Sequence, residues 1–280
     1  MHNAAFAALG LNWRYLACEV DPKNLRAAIE GAKAMQFAGL NLTVPHKLLA
    51  LDIVDVLDES AKKWGAVNTI RFEGRDAKGR WLPLPRFKPA SGDGPFGIRA
   101  HGFNTDADAI VAALREDLGV ELPGARVLLL GAGGVGRTTA LKLASENVAE
   151  LHLVNRTKAR AQAIAAEIKK QFPAVRLSVG LPKSAVQLVI NATSLGLKPD
   201  DGSPLDGKAF SLKPAQAVYD MIYRPAETAL LRAAKKAGCK TANGLGMLLH
   251  QGASAFEIWT GKSAPRAVMR RALEQNIYGH

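Results

Sequence analysis

Short apolar runs and helical apolar spacing alternate along most of this 280-residue chain. Before residue 73 the pattern predicts helices over 24–34 and 48–57 and strands over 40–44 and 67–72. From residue 106 it predicts a helix to about 118, then strands over 127–130, 151–154, 188–191, 218–221 and 240–242. Two helices follow, over 245–260 and 266–276.

Strands that alternate with helices indicate α/β domains with parallel sheets. Because the elements form two groups, one on each side of the helix at 106, we expect two such domains with a cleft between them. Segment 73–100 separates the groups and holds four of the 14 prolines and five glycines without a sustained period. This composition predicts a loop or an irregular hairpin extension.

A glycine-rich motif, Gly131-Ala-Gly-Gly-Val-Gly136, lies between the apolar run 127–130 and a helical pattern. This is G-x-G-x-x-G in the strand-to-helix context that binds a dinucleotide pyrophosphate. The next strand ends at Asn155 rather than at the acidic residue that holds the ribose of NAD. Three cations follow, Arg156, Lys158 and Arg160, so the pattern favours a 2′-phosphate and hence NADP. The alternative is a glycine-rich turn followed by a solvated basic helix.

Composition changes this picture little. Apolar and charged contents of 48% and 22% are typical of soluble globular proteins. The net charge of +12 raises nucleic-acid binding as an alternative, but the cations are dispersed and aromatic residues make up only 6%. Attraction for anionic small molecules such as NADPH is the better interpretation. Neither a signal peptide nor a membrane span is indicated, and Cys18 and Cys239 suit a reducing compartment, so we expect a cytoplasmic protein without a metal site.

Four polar motifs lie at the predicted ends of strands. They are Asn-Leu-Thr-Val-Pro-His-Lys at 41–47, Gly-Ala-Val-Asn-Thr at 65–69, Gly-Phe-Asn-Thr-Asp at 102–106 and Asn-Ala-Thr-Ser-Leu-Gly at 191–196. Capping and turn hydrogen bonds explain any one of them alone. Their joint presence beside a dinucleotide motif favours a ligand-binding cleft.

Together with Asn-Arg-Thr at 155–157 and Asn-Gly-Leu-Gly-Met-Leu-x-x-Gln-Gly at 243–252, these motifs resemble the shikimate dehydrogenase family over nearly the whole chain. The resemblance implies NADPH-dependent reduction of 3-dehydroshikimate to shikimate, a step of aromatic amino-acid biosynthesis through chorismate. It also implies a substrate domain of residues 1–106 and 245–280 and a Rossmann-type NADP domain of residues 107–244. Two alternatives stay open: a quinate or quinate/shikimate dehydrogenase, and a catalytically impaired NADP-binding homologue.

Reduction of a ketone by hydride needs a proton donor at the oxygen. The resemblance assigns this role to Lys47, with Asp106 as its partner and as a ligand of the substrate hydroxyls. It assigns further substrate contacts to Asn41, Thr43, Asn68, Tyr223 and Gln251. It assigns cofactor contacts to Gly131, Ala132, Gly133, Gly134 and Val135 at the pyrophosphate, to Asn155, Arg156, Thr157, Lys158 and Arg160 at the adenosine, to Met221 and Gly244 beside the nicotinamide, and to Glu59 in the cofactor cleft.

The start of the chain departs from the family pattern. Family members carry a strand and a Ser-x-Ser-Pro segment, which binds the substrate carboxylate, immediately before His-Asn. Here Met1-His2-Asn3 begins after that point, and we therefore hypothesise that Met1 is an internal methionine of a longer protein. The connection from Asn68 to Asp106 is also longer than the family's hairpin, and a solvated excursion is favoured over a lid. A homodimer is compatible with the sequence, which leaves the oligomeric state undetermined.

Overall fold

The structure, a computed structural model, describes residues 1–86, 95–198 and 200–279. The chain divides into two compact units. Unit 1 comprises Met1–Thr105 and Gln251–Ala272, and unit 2 comprises Asp106–His250 and Leu273–His280. Each unit combines helices with a β-sheet, so the predicted α/β fold class is confirmed. The assignment of a substrate domain and an NADP domain to particular residues stays a prediction.

Unit 1 is built on a mixed sheet. Its strands are β1 (Gly39–Asn41), β2 (Val56–Leu57), β3 (Thr69–Arg75), β4 (Trp81–Pro83) and β5 (Ile98–Phe103). Their order is β1-β3-β5-β2, with β4 also paired to β3. Strand β3 is antiparallel to β1, β4 and β5, whereas β2 is parallel to β5. The prediction of parallel strands is therefore wrong for the three pairs of β3 and holds only for β2 with β5. For β3 and β4 the reason is the connection over residues 76–80, which is so short that it permits only an antiparallel hairpin.

Of the helices in unit 1, only the one predicted over 24–34 occurs near its predicted place, as Leu25–Ala34. The helices of this unit are α1 (His2–Ala8), α2 (Leu25–Ala34), α3 (His46–Leu49) and α4 (Glu59–Trp64). The helix predicted over 48–57 is wrong, since α3 gives way to a 3₁₀ turn at Ala50–Asp52 and Val56–Leu57 then pairs with β5. The strand predicted over 40–44 ends early at Asn41, because the chain turns at Pro45 and the His46 N–H donates to the Thr43 carbonyl. Tertiary pairing has thus overridden the helical pattern at Val56–Leu57, whereas a local turn ends the strand at Asn41.

The segment predicted as a loop or hairpin extension contains regular structure. Strand β3 continues to Arg75, and β4 and a 3₁₀ turn at Leu84–Arg86 follow. Strand β5 begins at Ile98, within the same segment. The first part of segment 73–100 thus belongs to a hairpin of β3 and β4, whereas residues 87–94 lie outside the described residues.

The sheet of unit 2 is all-parallel in the described residues. Its strands are β6 (Arg126–Leu130), β7 (Glu150–Val154), β8 (Arg176–Val179), β9 (Leu188–Asn191), β10 (Ala217–Asp220) and β11 (Lys240–Asn243). Their order is β11-β10-β9-β6-β7-β8. Counted from β6, this is the 3-2-1-4-5-6 order of the dinucleotide-binding fold, in which ligands bind where the order reverses, here between β6 and β9. The predicted Rossmann-type topology is confirmed for this unit.

Helices cover the sheet of unit 2. They are α5 (Asp106–Leu118), α6 (Gly134–Ser145), α7 (Lys158–Gln171) and α8 (Ala229–Lys236), while α9 (Leu245–Thr260) and α10 (Arg266–Tyr278) belong partly to each unit. Every residue of β9 and β10 is buried, as expected of a parallel sheet covered on both faces. No helix within the described ranges is long and apolar enough to cross a membrane.

The two faces of the unit 1 sheet differ in polarity. Ile70, Phe72 and Ala100 pack with α2 in an apolar core. The alternate positions carry an ion-pair cluster around Glu73, whose side chain is 3% exposed. Glu73 pairs with Arg71, with Arg99 at 2.7 Å and with His101 at 3.1 Å. Burial raises the pKa of Glu73, but hydrogen bonds from His101, Arg71 and Arg99 outweigh it and lower the pKa to about 2.

We expect Glu73→Gln to reduce the loss of stability in acid. Because the folded pKa of about 2 lies below the ordinary value of 4.5, the carboxylate contributes stability above pH 4.5 that is lost as the pH falls towards 2. Urea unfolding at a series of pH values should show a steeper acid loss for the wild type than for the variant. Glu30→Gln, which changes an exposed carboxylate paired with Lys33, should follow the wild-type curve. Equal acid slopes for wild type and Glu73→Gln would contradict this account.

Candidate active site

The glycine-rich turn joins β6 to α6 in unit 2. Gly131 has a φ of +108°, and a Cβ there would lie 2.7 Å from the carbonyl oxygen of Ala192. A Cβ at Gly136 would collide with the carbonyl oxygen of Gly131. These two glycines are therefore required by backbone packing, as expected for the first and last positions of the motif.

The middle of the turn faces open space. A Cβ at Gly133 or Gly134 would meet no atom within 4 Å. Gly133 is the N-cap of α6 and supplies no side-chain cap for the first N–H groups of this helix. Free N–H groups and the positive end of the helix dipole attract anions, and the open space admits one. The turn thus fits the pyrophosphate of a dinucleotide.

The end of β7 carries the residues predicted at the adenosine. Asn155 Oδ1 accepts from the N–H of Ala132 at 3.1 Å, and its Nδ2 donates to the carbonyl of Thr157 at 2.9 Å. Asn155 therefore ties the glycine turn to the start of α7, whose N-cap is Thr157. Three exposed cations lie beside this junction, at Arg156, Lys158 and Arg160. Their positive charge suits a phosphate.

A buried polar network joins the ends of β9 and β10. Asp220 accepts hydrogen bonds from Asn191 Nδ2 at 2.9 Å, from the Thr228 hydroxyl at 2.6 Å and from the Ile222 N–H at 3.1 Å. Burial raises the pKa of Asp220 in spite of these bonds. Sequence reasoning missed Asp220, although a carboxylate that ends the apolar strand Ala217–Asp220 is a signal for such a network.

This network supports the loop that holds two of the predicted site residues. Met221 follows Asp220 directly, and a Cβ at Gly244 would collide with its carbonyl oxygen. The Gly244 N–H donates to the Ile222 carbonyl at 3.2 Å. Tyr223 is 38% exposed, and its carbonyl accepts from the Tyr278 hydroxyl at 2.8 Å. Met221, Tyr223 and Gly244 thus lie at the carboxyl edge of the unit 2 sheet, where ligands of such folds bind.

The polar motifs of unit 1 meet at one edge of its sheet. Because β3 runs antiparallel to β1 and β5, its first residue, Thr69, pairs with Asn41 on one side and Phe103 on the other. Asn68 is 1% exposed, and its Oδ1 accepts from the Thr105 N–H at 2.8 Å. Three motifs that are far apart in the sequence are thereby brought into one hydrogen-bonded cluster.

Other predicted substrate residues of unit 1 lie on α3, its preceding loop and α9. Lys47 is half-buried in α3, and its carbonyl accepts from the Val67 N–H at 2.9 Å, next to Asn68. Thr43 is exposed in the loop before α3, and Gln251 is half-buried in α9.

Two further predicted residues begin helices. Asp106, the first residue of α5 in unit 2, is 6% exposed. Glu59 begins α4 in unit 1, is exposed and pairs with Lys62 at 2.7 Å. The roles given to the predicted site residues in binding and catalysis stay predictions.

Comparison with known proteins covers most of the chain. Residues 1–70 match the shikimate dehydrogenase substrate binding domain, residues 113–195 match shikimate / quinate 5-dehydrogenase, and residues 244–274 match the shikimate 5′-dehydrogenase C-terminal domain. Shikimate dehydrogenase (NADP(+)) of Methanopyrus kandleri is 37% identical over 99% of this chain and 90% of its own length. The protein of the same name from Moorella thermoacetica is 41% identical over 98% of this chain and 87% of its own length.

Solved structures agree with this relation. A shikimate dehydrogenase in complex with NADP+ has a TM-score of 0.82 and 36% identity, over 99% of this chain and 89% of its own. Shikimate 5-dehydrogenase of Thermus thermophilus, in complex with NADP(H) and shikimate, has a TM-score of 0.79 and 33% identity, over 98% and 92%. Quinate dehydrogenase of Corynebacterium glutamicum, in complex with NAD, has a TM-score of 0.78 and 29% identity, over 97% and 92%.

We expect Gly136→Ala to destabilise the protein in the absence of any ligand. The new Cβ would overlap the Gly131 carbonyl, and overpacking of this kind costs about 1–3 kcal/mol. Gly134→Ala is the matched control, since its Cβ meets no atom within 4 Å and alanine favours a helix. Thermal unfolding should show a lower Tm for Gly136→Ala alone; a Tm equal to that of Gly134→Ala would refute the packing argument.

Proposed function

Because the chain belongs to the shikimate dehydrogenase family, we propose that it catalyses the NADPH-dependent reduction of 3-dehydroshikimate to shikimate. The observation that carries this proposal is the 37% identity to shikimate dehydrogenase (NADP(+)) over 99% of the chain. The reaction belongs to aromatic amino-acid biosynthesis through chorismate. The protein is thus an NADP-dependent oxidoreductase acting on a CH–OH group.

NADP is the proposed cofactor, and the residues present fit it. A Cβ at Gly133 or Gly134 would meet no atom within 4 Å, and α6 begins there without a side-chain cap, which leaves room for a pyrophosphate at the start of the helix. Arg156, Lys158 and Arg160 supply positive charge where an NAD-binding strand would carry an acidic residue. When bound, the nicotinamide supplies the hydride chemistry, and the protein supplies orientation and charge.

Lys47 is the proposed proton donor. Hydride addition to a ketone leaves negative charge on its oxygen, and an ammonium group within hydrogen-bond reach stabilises that charge and delivers a proton. Asp106 binds a substrate hydroxyl and completes the pair of catalytic groups. Thr43, Asn68, Tyr223 and Gln251 bind the polar substituents of the ring. In the oxidation of shikimate Lys47 acts in the opposite sense, as the base.

The quinate alternative is not favoured, because the curated relatives described above carry the name shikimate dehydrogenase (NADP(+)). The basic patch after β7 also argues for NADP rather than NAD. A small anionic substrate and cofactor explain the basic net charge, so the proposal needs neither nucleic acid nor a membrane as partner. The same proposal includes a cytoplasmic location for the enzyme and a homodimeric state.

Lys47→Ala should lower kcat for shikimate oxidation by about 10²–10⁴-fold, the usual contribution of a positioned acid–base group. KM for NADP+ should change little, because Lys47 is assigned to the substrate. Steady-state assays of NADPH formation measure both quantities. Lys23→Ala, at an exposed ion pair with Asp21, is the control and should keep wild-type rates. Full activity of Lys47→Ala would overturn the catalytic assignment.

Arg156→Ala should raise KM for NADP+ by roughly 10- to 100-fold, the worth of one or two charge-assisted hydrogen bonds. KM for NAD+, which lacks the 2′-phosphate, should stay nearly constant, so the preference for NADP+ falls. Arg176→Ala is a matched control, because Arg176 lies at the amino end of β8, away from the carboxyl end of the neighbouring β7 that leads to Arg156, and pairs with Glu150. Equal changes in the two cofactor constants would argue against a 2′-phosphate site at Arg156.

A further inference from the structure

Both the nitrogen and the oxygen of the Asn41 side-chain amide form hydrogen bonds within unit 1. Its Nδ2 donates to the Thr69 hydroxyl at 3.0 Å and to the main-chain carbonyl of Asn68 at 3.3 Å. Its Oδ1 accepts from the Tyr15 hydroxyl at 3.0 Å. Because an amide nitrogen has two hydrogens, Asn41 has no donor left for a substrate hydroxyl. Its bonds hold neighbouring groups in place instead.

A one-way series of hydrogen bonds continues from Asn41 to Thr105. The Thr69 hydroxyl accepts from Asn41, so its own proton is available to Asn68 Oδ1 at 3.2 Å. Asn68 Oδ1 also accepts from the Thr105 N–H at 2.8 Å, and Asn68 Nδ2 donates to the Thr105 hydroxyl at 2.9 Å. These donor directions select one of the two orientations of the Asn68 amide. Asn68 and Thr69 are 1% and 0% exposed, which leaves water little access to replace a lost bond.

Tyr15, the first donor of the series, is itself fixed by α1 and α9. Its N–H donates to Asn3 Oδ1 at 2.7 Å, and its carbonyl accepts from Asn3 Nδ2 at 3.0 Å. Its ring stacks on His2 with centroids 4.5 Å apart and lies 6.1 Å from the ring of Trp259. Burial raises the pKa of the Tyr15 phenol, so the hydroxyl keeps its proton and remains a donor.

We infer that Tyr15 is a positioning residue of the substrate pocket, which orients the Asn68 amide through Asn41 and Thr69. Asn41 then acts as a clamp, because both hydrogens of its amide are engaged by Thr69 and Asn68. The inference rests on the proposed function, in which Asn68 binds a ring substituent. It adds Tyr15 to the pocket and changes the role of Asn41.

Tyr15→Phe tests this inference, because it keeps the ring and deletes only the hydroxyl. KM for shikimate should rise roughly 3- to 10-fold, the worth of one hydrogen bond, while KM for NADP+ stays constant. Trp13→Phe is the matched control: it alters a ring of the same segment, which packs on Phe6 with centroids 5.4 Å apart. It should lower Tm without changing either constant.

Two measurements distinguish positioning from a general loss of stability. In a double-mutant cycle, Tyr15→Phe should raise KM for shikimate no further once Asn41→Ala is present, because both act through the same amide. Hydrogen exchange of the Thr105 N–H should be faster in Tyr15→Phe and in Thr69→Val, but not in Trp13→Phe. The exchange measurement requires no activity.

The outcomes separate this inference from the proposed function. Additive effects in the cycle, or unchanged Thr105 exchange in Tyr15→Phe, would overturn the role of Tyr15 even in an active enzyme. A wild-type protein that does not oxidise shikimate with NADP+, but whose Thr105 exchange responds to Tyr15→Phe, would overturn the proposed function and support the series of bonds from Tyr15 to Asn68.

Discussion

The antiparallel pairing of β3 with β1 and β5 is the constraint on which the candidate substrate pocket depends. It places the first residue of β3 beside the last residues of its two neighbours, so Asn41, Thr69 and Phe103 lie in one row across the sheet. A slip of one residue would turn each side chain to the opposite face. The apolar packing of Ile70 and Phe72 against α2 opposes such a slip. The hydrophobic core therefore fixes the position of the polar cluster.

Unit 2 brings polar groups together by a different route. All of its strand pairs run parallel in the described residues, so the carboxyl ends of β6, β7, β9 and β10 lie along one edge. The residues that end β9 and β10, Asn191 and Asp220, are buried and bind each other. Asn155, just after β7, binds the glycine turn that follows β6. Side chains thus tie the glycine turn to the end of β7 and the end of β9 to the end of β10, which gives the proposed cofactor site a rigid base.

Sequence reasoning succeeded where a pattern was long or had one physical meaning. The helices over 106–118 and 245–260 have sustained apolar spacing, and both occur with those bounds. The glycine motif requires a tight turn and close packing, and Gly131 and Gly136 show both. Short elements were less predictable, because strand β2 exists only through its pairing with β5. The direction of the strands in unit 1 was missed for the same reason: pairing is a long-range property.

Long-range contacts in the candidate site are equally hard to predict from the sequence, as single residues show. Lys47 and Asn68 are predicted site residues because they belong to motifs that can be read along the chain, whereas Tyr15 belongs to none of those motifs. Its hydroxyl meets Asn41 across 26 positions of sequence, and a tyrosine in a segment without helix or strand carries no local signal of that contact. In a cluster of neutral amides and hydroxyls, the geometry depends on which groups donate and which accept hydrogen bonds, and partners distant in sequence decide this. The residues that orient such a pocket are therefore recognised from the hydrogen bonds of the folded protein.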